Sequence, residues 1–159
     1  ASLNSGKDIV SLEGECRHIT SYLQIQQVRY QDILTYDVDI PEEIANCKIP
    51  KITLQPLVEN ALYHGIKNKR GKGRIVVTGR REKDKCVIRV EDNGIGMTKE
   101  RLNQVRGGLT TKIEDSNDFY GLYNVNERIR LKFGEEYGLS IDSVLQEGTC
   151  VEVWLPWES

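Results

Sequence analysis

The residues best suited to chemistry stand where a strand-like run stops. Between Cys86 and Met97 the chain reads CVIRVEDNGIGM: apolar and polar residues alternate up to Glu91, Asp92 follows, and Gly94 and Gly96 come one residue apart. Without a Cβ, these glycines let the backbone approach a ligand closely. A carboxylate at the floor of an apolar pocket is costly to desolvate unless a donor meets it, and the exocyclic amine of adenine is such a donor. Taken alone, the stretch fits a plain Asp-Asn-Gly turn between a strand and a helix equally well, so other segments must decide.

The first of these is LVENALYHG, Leu57 to Gly65. At about 100° per residue, Asn60 and His64 lie one above the other on a helix, at the border of an apolar stripe built from Leu54, Leu57, Val58, Ala61 and Leu62. An amide oxygen there suits Mg²⁺, which keeps several waters and takes other ligands from phosphates. Separately, Asn60 reads as a helix residue bonded to a nearby loop and His64 as an ordinary histidine near a helix end. The second is YGLYNVNERI from Tyr120. Gly121 opens a helix whose free N–H groups are suited to phosphate oxygens. The third is Gly148-Thr149, a hydroxyl at a hairpin turn that can contact the adenine end.

These residues need elements to hold them. Ser11, with Glu13 and Glu15 behind it, predicts a helix start, and Leu12, Cys16, Ile19 and Leu23 carry an apolar stripe towards Tyr30. Ile33 to Ile40 alternates and stops at Pro41, a strand, and a short extended piece follows from Lys48 to Ile52. Thr53 is placed to cap the second helix, with Pro56 in its first turn and Gly65 at its end. Arg74 to Arg81 and Lys85 to Glu91 predict two strands joined by a charged turn, and Thr98 caps a short helix towards Val105. Arg106 to Phe119 shows no period and predicts a mobile loop; LYNVNERIRLKF is helical and stops at Gly134. Leu139 to Val144 and Cys150 to Leu155 make a terminal hairpin across QEGT. Strand pairs broken by helices predict an α+β two-layer sandwich, with helices on one face of a mixed sheet.

The chain of 159 residues, 38% hydrophobic and 29% charged, suits one domain. A net charge of -2 argues against a dominant nucleic-acid or membrane surface. No apolar run reaches the length of a membrane span and the first ten residues lack a signal-peptide layout, so a soluble piece is expected. Cys16, Cys47, Cys86 and Cys150 form no CxxC pair and read as core residues in a reducing cytoplasm.

In that order, LVENALYHG, DNGIGM, GLYNVNERI and EGT closely resemble the ATP-binding catalytic domain of sensor histidine kinases. Together with SLEGECRHITSYLQIQQVRY upstream, their wording is similar to the LytS/YesM-type subgroup, over Ser11 to Pro156. The resemblance implies the Bergerat-type (GHKL) fold of gyrase, Hsp90 and MutL, with residues 11–159 as the catalytic domain and residues 1–10 as a tail from a preceding dimerisation and phosphoacceptor region. It implies ATP and Mg²⁺ as ligands, Asn60 as the Mg²⁺-coordinating residue and Asp92 as the adenine reader. Gly94, Gly96, Gly121 and Leu122 would surround the nucleotide, His64 would face the phosphates as a catalytic residue beside Asn60, and Thr149 would stand at the base. Residues Arg106 to Phe119 would form a lid over the nucleotide.

Two positions depart from the family pattern. Phe119 replaces a lid glycine common two positions before the Gly121 equivalent. Pro56 stands four residues before Asn60, where the ATPases of the superfamily carry a water-activating glutamate, so free hydrolysis should be poor. The implied reaction passes the γ-phosphoryl group of ATP to a histidine nitrogen. His18 and His64 are the chain's histidines, and His18, among Arg17, Ile19 and Thr20, lacks the proline, phenylalanine and asparagine surroundings of the subgroup's acceptor. The acceptor is therefore expected upstream of Ala1, on dimerisation helices of a homodimeric, membrane-anchored bacterial sensor whose cytoplasmic domain this is, with a response regulator as final partner.

Three alternatives differ in their chemistry. A degenerate module would bind nucleotide without transfer, and a conformational ATPase would hydrolyse it steadily. Nucleic-acid binding through KNKRGKGR, Lys67 to Arg74, lacks interleaved aromatics, and no nucleic-acid partner is expected. The same run misses a P-loop by spacing and by Gly73 in the Ser/Thr position. DNGIGM misses a dinucleotide fingerprint because Lys99 replaces the third glycine.

Overall fold

A computed structural model describes residues 8–31, 33–67, 71–111 and 120–158. Five strands make a mixed sheet in the order β2 (Leu34–Val38), β4 (Gly73–Glu82), β5 (Lys85–Asp92), β7 (Gly148–Pro156), β6 (Gly138–Val144). Only β2 and β4 run parallel within it; the other neighbours are antiparallel. Alternation decides which face each side chain takes. Val77, Val90, Val151 and Ile141 lie in one cross-strand row of the inner face, and all four are buried. They join Leu12, Ile19 and Leu23 of α1 (Leu12–Arg29), Leu57 and Val58 of α2 (Leu54–Asn60), Leu102 of α3 (Lys99–Gly107) and Ile129 of α4 (Tyr120–Phe133) in one core. Each fully buried Leu, Ile or Val contributes about 2 kcal/mol. The opposite face carries a ladder of charges, including Arg80–Glu152 at 3.3 Å and Arg89–Glu91 at 2.9 Å. Helices therefore cover one face of the sheet, the two-layer α+β sandwich expected.

Ser11 caps α1, accepting from the Gly14 N–H at 3.1 Å, and Thr98 caps α3, accepting from the Arg101 N–H at 3.1 Å. The start of α2 differs from expectation. Thr53 makes no side-chain cap and instead donates its hydroxyl to the Pro50 carbonyl at 2.6 Å. The cap comes from Glu15 of α1, whose carboxylate accepts from the N–H groups of Ile52, Thr53 and Leu54 at 3.0, 3.1 and 3.2 Å. Helix starts leave such donors unpaired, and here a buried anion from a distant helix takes them. Arg128 of α4 donates to the carbonyls of Lys51 and Ile52 at 2.8 and 2.7 Å, holding Ile52 at a φ of 60°, which is strained for a β-branched residue.

Gly65 does not end the second helix. The chain continues from Ala61 to Ile66 as a π-helical segment, in which the Lys67 N–H donates to the Leu62 carbonyl at 2.8 Å. Ile9–Ser11 (β1), which no motif announced, pairs antiparallel with the expected extended piece, a strand at Lys48–Pro50 (β3), and the Asp84 carbonyl between β4 and β5 accepts from the Trp157 N–H at 2.8 Å. At the other expected loop, α3 runs through Arg106 to Gly107; residues 112–119, which include Phe119 and most of the expected lid, lie outside the described residues, as do residues 68–70 of the basic run.

Burial pushes the Cys16 thiol up to about 12, helped by the neighbouring Glu15 charge. Burial raises Cys86 as well, and Cys47 is buried beside it; Cys150 is half-buried. Three of the four cysteines are core residues, as expected. Among the described residues no helix is long and apolar enough to cross a membrane.

Candidate functional site

A cavity of about 250 Å³ opens between the helical continuation of α2 and the end of β5. Asn60, His64, Asp92, Gly96 and Thr149 line it, on Leu57, Ala61, Val90, Ile95, Met97 and Val151 as its apolar walls. Five of the eight expected site residues thus meet around one space, although three separate segments of the chain supply them.

Sheet register brings the acid and the hydroxyl together. Asp92, the last residue of β5, stands directly opposite Thr149 of β7, and Thr149 opposite Ser143 of β6. All three project from one face of the sheet in a single row. Oδ1 of Asp92 accepts from the Gly94 N–H at 2.9 Å, which folds the chain back over the carboxylate. Asn93 prolongs the strand pairing, its Oδ1 accepting from the Arg74 N–H at 2.7 Å.

Glycines let this turn pack. A Cβ at Gly94 would collide with the backbone of Gly65, and one at Gly65 would meet Oδ1 of Asp92 at 2.6 Å. Gly94 therefore seats the loop against the helix without lining the cavity itself. Gly96 has a φ of +66°, and a Cβ there would run into the Val144 carbonyl. Both expected loop glycines are thus needed for close approach, one to a helix and the other to the β6–β7 turn. The Gln146 N–H of that turn donates to the Ile95 carbonyl at 2.6 Å.

Asn60 presents at the cavity a side-chain amide whose nitrogen is buried and has no hydrogen-bond partner. Amide oxygen and nitrogen exchange places by a half-turn, so this wall can offer either a donor or an acceptor to a ligand. Among the described residues no group of three or more His, Cys, Asp or Glu is arranged for a metal ion. Mg²⁺ fits such a wall as an ion held by one amide oxygen together with ligands from phosphate and water.

Gly121 and Leu122 stand elsewhere. Leu122 is buried in the core, and the nearest neighbour of a Cβ at Gly121 would be Pro56 at 3.6 Å. They belong to the contact between α4 and α2. His18, on the exposed side of α1, hydrogen-bonds Gln55 and lines no part of the cavity.

Sequence reasoning missed Arg101, Gly65 and Asn126. Arg101 lines the cavity from the first turn of α3 and also donates to Gln104 at 3.2 Å. Its signal was its place three residues after the Thr98 cap, on the turn that follows the glycine loop. Asn126 is buried in α4; its amide donates to the Leu109 carbonyl at 2.9 Å and accepts from the Leu139 N–H at 2.8 Å. It pins the segment after α3 to both α4 and β6.

The family model described as histidine kinase-, DNA gyrase B- and HSP90-like ATPase matches residues 50–159, a span that includes every cavity-lining residue. The chain belongs to this ATPase family. Sensor histidine kinase YesM of Bacillus subtilis is 36% identical over 156 residues, covering 98% of this chain and 25% of that protein. Sensor protein LytS of Staphylococcus saprophyticus is 35% identical over 150 residues, covering 94% of this chain and 25% of that protein. This ATPase-family chain thus spans about a quarter of the length of these relatives. Among solved structures, the catalytic domain of histidine kinase ThkA, nucleotide-free, superposes with a TM-score of 0.70 at 11% identity, over 94% of this chain and 96% of that one. The histidine kinase domain of a blue-light activated kinase from Erythrobacter litoralis gives 0.63 at 15%, over 93% and 62%. At such identities these structures speak for the fold, which is that of histidine kinase catalytic domains.

Proposed function

We propose that the cavity binds Mg²⁺-ATP and that, in a longer sensor kinase, the domain transfers the γ-phosphoryl group to a histidine outside these 159 residues. One observation carries the reading: a carboxylate and a hydroxyl side by side at one end of an apolar cavity, with an unpartnered amide on its wall. Asp92 accepts from the exocyclic amine of adenine while Val90, Ile95, Met97 and Val151 cover the ring. Asn60 and His64 hold the phosphate end, where bound Mg²⁺ would neutralise charge developing on the phosphate oxygens.

In the transfer, the bond from the γ-phosphorus to the bridging oxygen breaks, ADP leaves with that electron pair, and an imidazole nitrogen of the acceptor forms the new P–N bond. The contribution of this chain is position and charge. Asp92, at the adenine end, is the single carboxylate among the described lining residues, and Pro56 occupies the place where superfamily ATPases carry a glutamate, so water meets no such carboxylate base and steady hydrolysis is slow. The relatives' names support a sensor kinase; on this proposal a response regulator is the eventual phosphoryl acceptor, and the helices for homodimerisation and the membrane anchor would lie outside these residues. The domain itself would then lie in the cytoplasm.

Calorimetric titration with a non-hydrolysable ATP analogue, with and without Mg²⁺, tests the site. Saturable binding that is strengthened by Mg²⁺ and lost in Asp92→Asn is expected; absence of binding would overturn the reading. Adding an acceptor-histidine segment of the YesM type and labelled ATP then tests transfer, with phosphohistidine as the expected product and its absence as the result that leaves a binding module.

A further inference from the structure

Ser143 was singled out by no motif, yet its hydroxyl is shared by three partners at the edge of the cavity. The Met97 N–H, Thr149 Oγ1 and the Gly148 carbonyl oxygen all lie 2.9 Å from its Oγ. A serine hydroxyl has one proton and two lone pairs. Met97 is a backbone donor and takes one lone pair. A carbonyl can only accept, so the Gly148 oxygen takes the proton. The remaining lone pair can be used only by a donor, and Thr149 must therefore turn its own proton towards Ser143. Its two lone pairs are left for the cavity that it lines.

From this count we infer that Ser143 is a positioning residue that sets the polarity of the Thr149 hydroxyl, making it an acceptor towards the base. The inference rests on the nucleotide reading above and sharpens it. Asp92 and Thr149 stand opposite each other in the β5–β7 register, so one end of the cavity presents two neighbouring acceptors and no hydroxyl donor. That arrangement selects a base for its amino group rather than for a ring nitrogen: the amine supplies protons, whereas a ring nitrogen would need a donor that Thr149 cannot supply. It also couples selectivity to loop position, because the same Ser143 oxygen fastens the start of α3 through Met97.

The test compares ATP with purine riboside triphosphate, which lacks only the 6-amino group, in calorimetric titrations of the whole chain. In Ser143→Ala the Thr149 proton is released, Thr149 can donate to the ring nitrogen, and the preference for ATP falls about tenfold, the worth of roughly one hydrogen bond. Ser143→Thr keeps the hydroxyl and keeps the preference. Thr149→Val lowers the preference to the same extent, and Ser143→Ala adds nothing further in the Thr149→Val background, because Ser143 acts through Thr149. If Ser143→Ala weakens both nucleotides in parallel with an unchanged ratio, Ser143 merely anchors the loop and the inference fails while the site stands. Should Ser143→Ala not fold, an unchanged ratio in Thr149→Val overturns the inference by itself. Failure of the wild-type chain to bind either nucleotide overturns the underlying reading, and this inference with it.

Discussion

Glu15 and Asp92 are both carboxylates withdrawn from bulk water, and their surroundings put them to opposite uses. Glu15 is 3% exposed and accepts from three successive backbone N–H groups at the start of α2. Asp92 accepts from a loop N–H two residues on, but it also borders a cavity of about 250 Å³. The cost of withdrawing an anion from water is offset by fixed donors in the first case, and in the second, on the proposed function, it would be offset partly by a ligand that comes and goes. A buried acid is therefore no sign of a ligand site until the space beside it is known. Reading Glu15 and Glu13 alike as acids in a first helical turn, as their positions invite, misses that one of them is the fastener between two helices.

The contrast predicts a separation of stability from binding, largest for Glu15. Glu15→Ala should lower the unfolding free energy by about 3 kcal/mol, because three N–H groups lose their acceptor; denaturant titration measures this. The ATP affinity of the protein that remains folded should stay within about twofold. Asp92→Asn should do the reverse, weakening ATP about a hundredfold, close to 2.7 kcal/mol, with little change in melting temperature. A stability loss in Asp92→Asn as large as that of Glu15→Ala would erase the distinction. Asn60→Ala should remove the strengthening by Mg²⁺, about tenfold, and leave metal-free binding nearly intact.

The smallest effect concerns Cys16, next to Glu15 in the chain. Its folded pKa of about 12 lies above the ordinary 9.0, so the neutral thiol contributes its full stability below about pH 9 and loses it as pH rises towards 12. Near neutral pH no change is expected. Glu15→Gln should lower that pKa only in part, because burial is the larger cause and the Glu15 charge the lesser; alkylation rate against pH reads the difference.

Much of this was legible because it is local. Ser11 and Thr98 cap helices through bonds to a residue three positions on, and β4, β5, β6 and β7 announce themselves by alternation. Asn60, His64, Asp92, Gly96 and Thr149 were readable as a set from their motifs, and the register of β5 with β7 brings two of them face to face. The failures are all long-range. Thr53 has the side chain of a cap, but Glu15, from another helix, reaches the N–H groups first. Gly65 has the chemistry of a helix end, yet its missing Cβ serves the approach of Asp92, and the chain absorbs this as a π-helical turn. Gly121 and Leu122 follow a helix start that suits phosphate, but their packing against Pro56 and the core depends on how α4 docks. No periodicity carries such information.

Because β7 lies between β5 and β6, the strand that holds Thr149 is interior to the sheet although it comes last in the order of the elements. During synthesis, β5 must wait with one edge unpaired while the segments from Asn93 to Glu147 emerge, and an open edge of that kind is a place for mispairing. The same insertion acts as a check on completeness. A chain interrupted before Gly148 carries Asn60, His64, Asp92 and both loop glycines but lacks the strand that walls the cavity, so a truncated product should fail to retain nucleotide and should not compete with the finished domain for it.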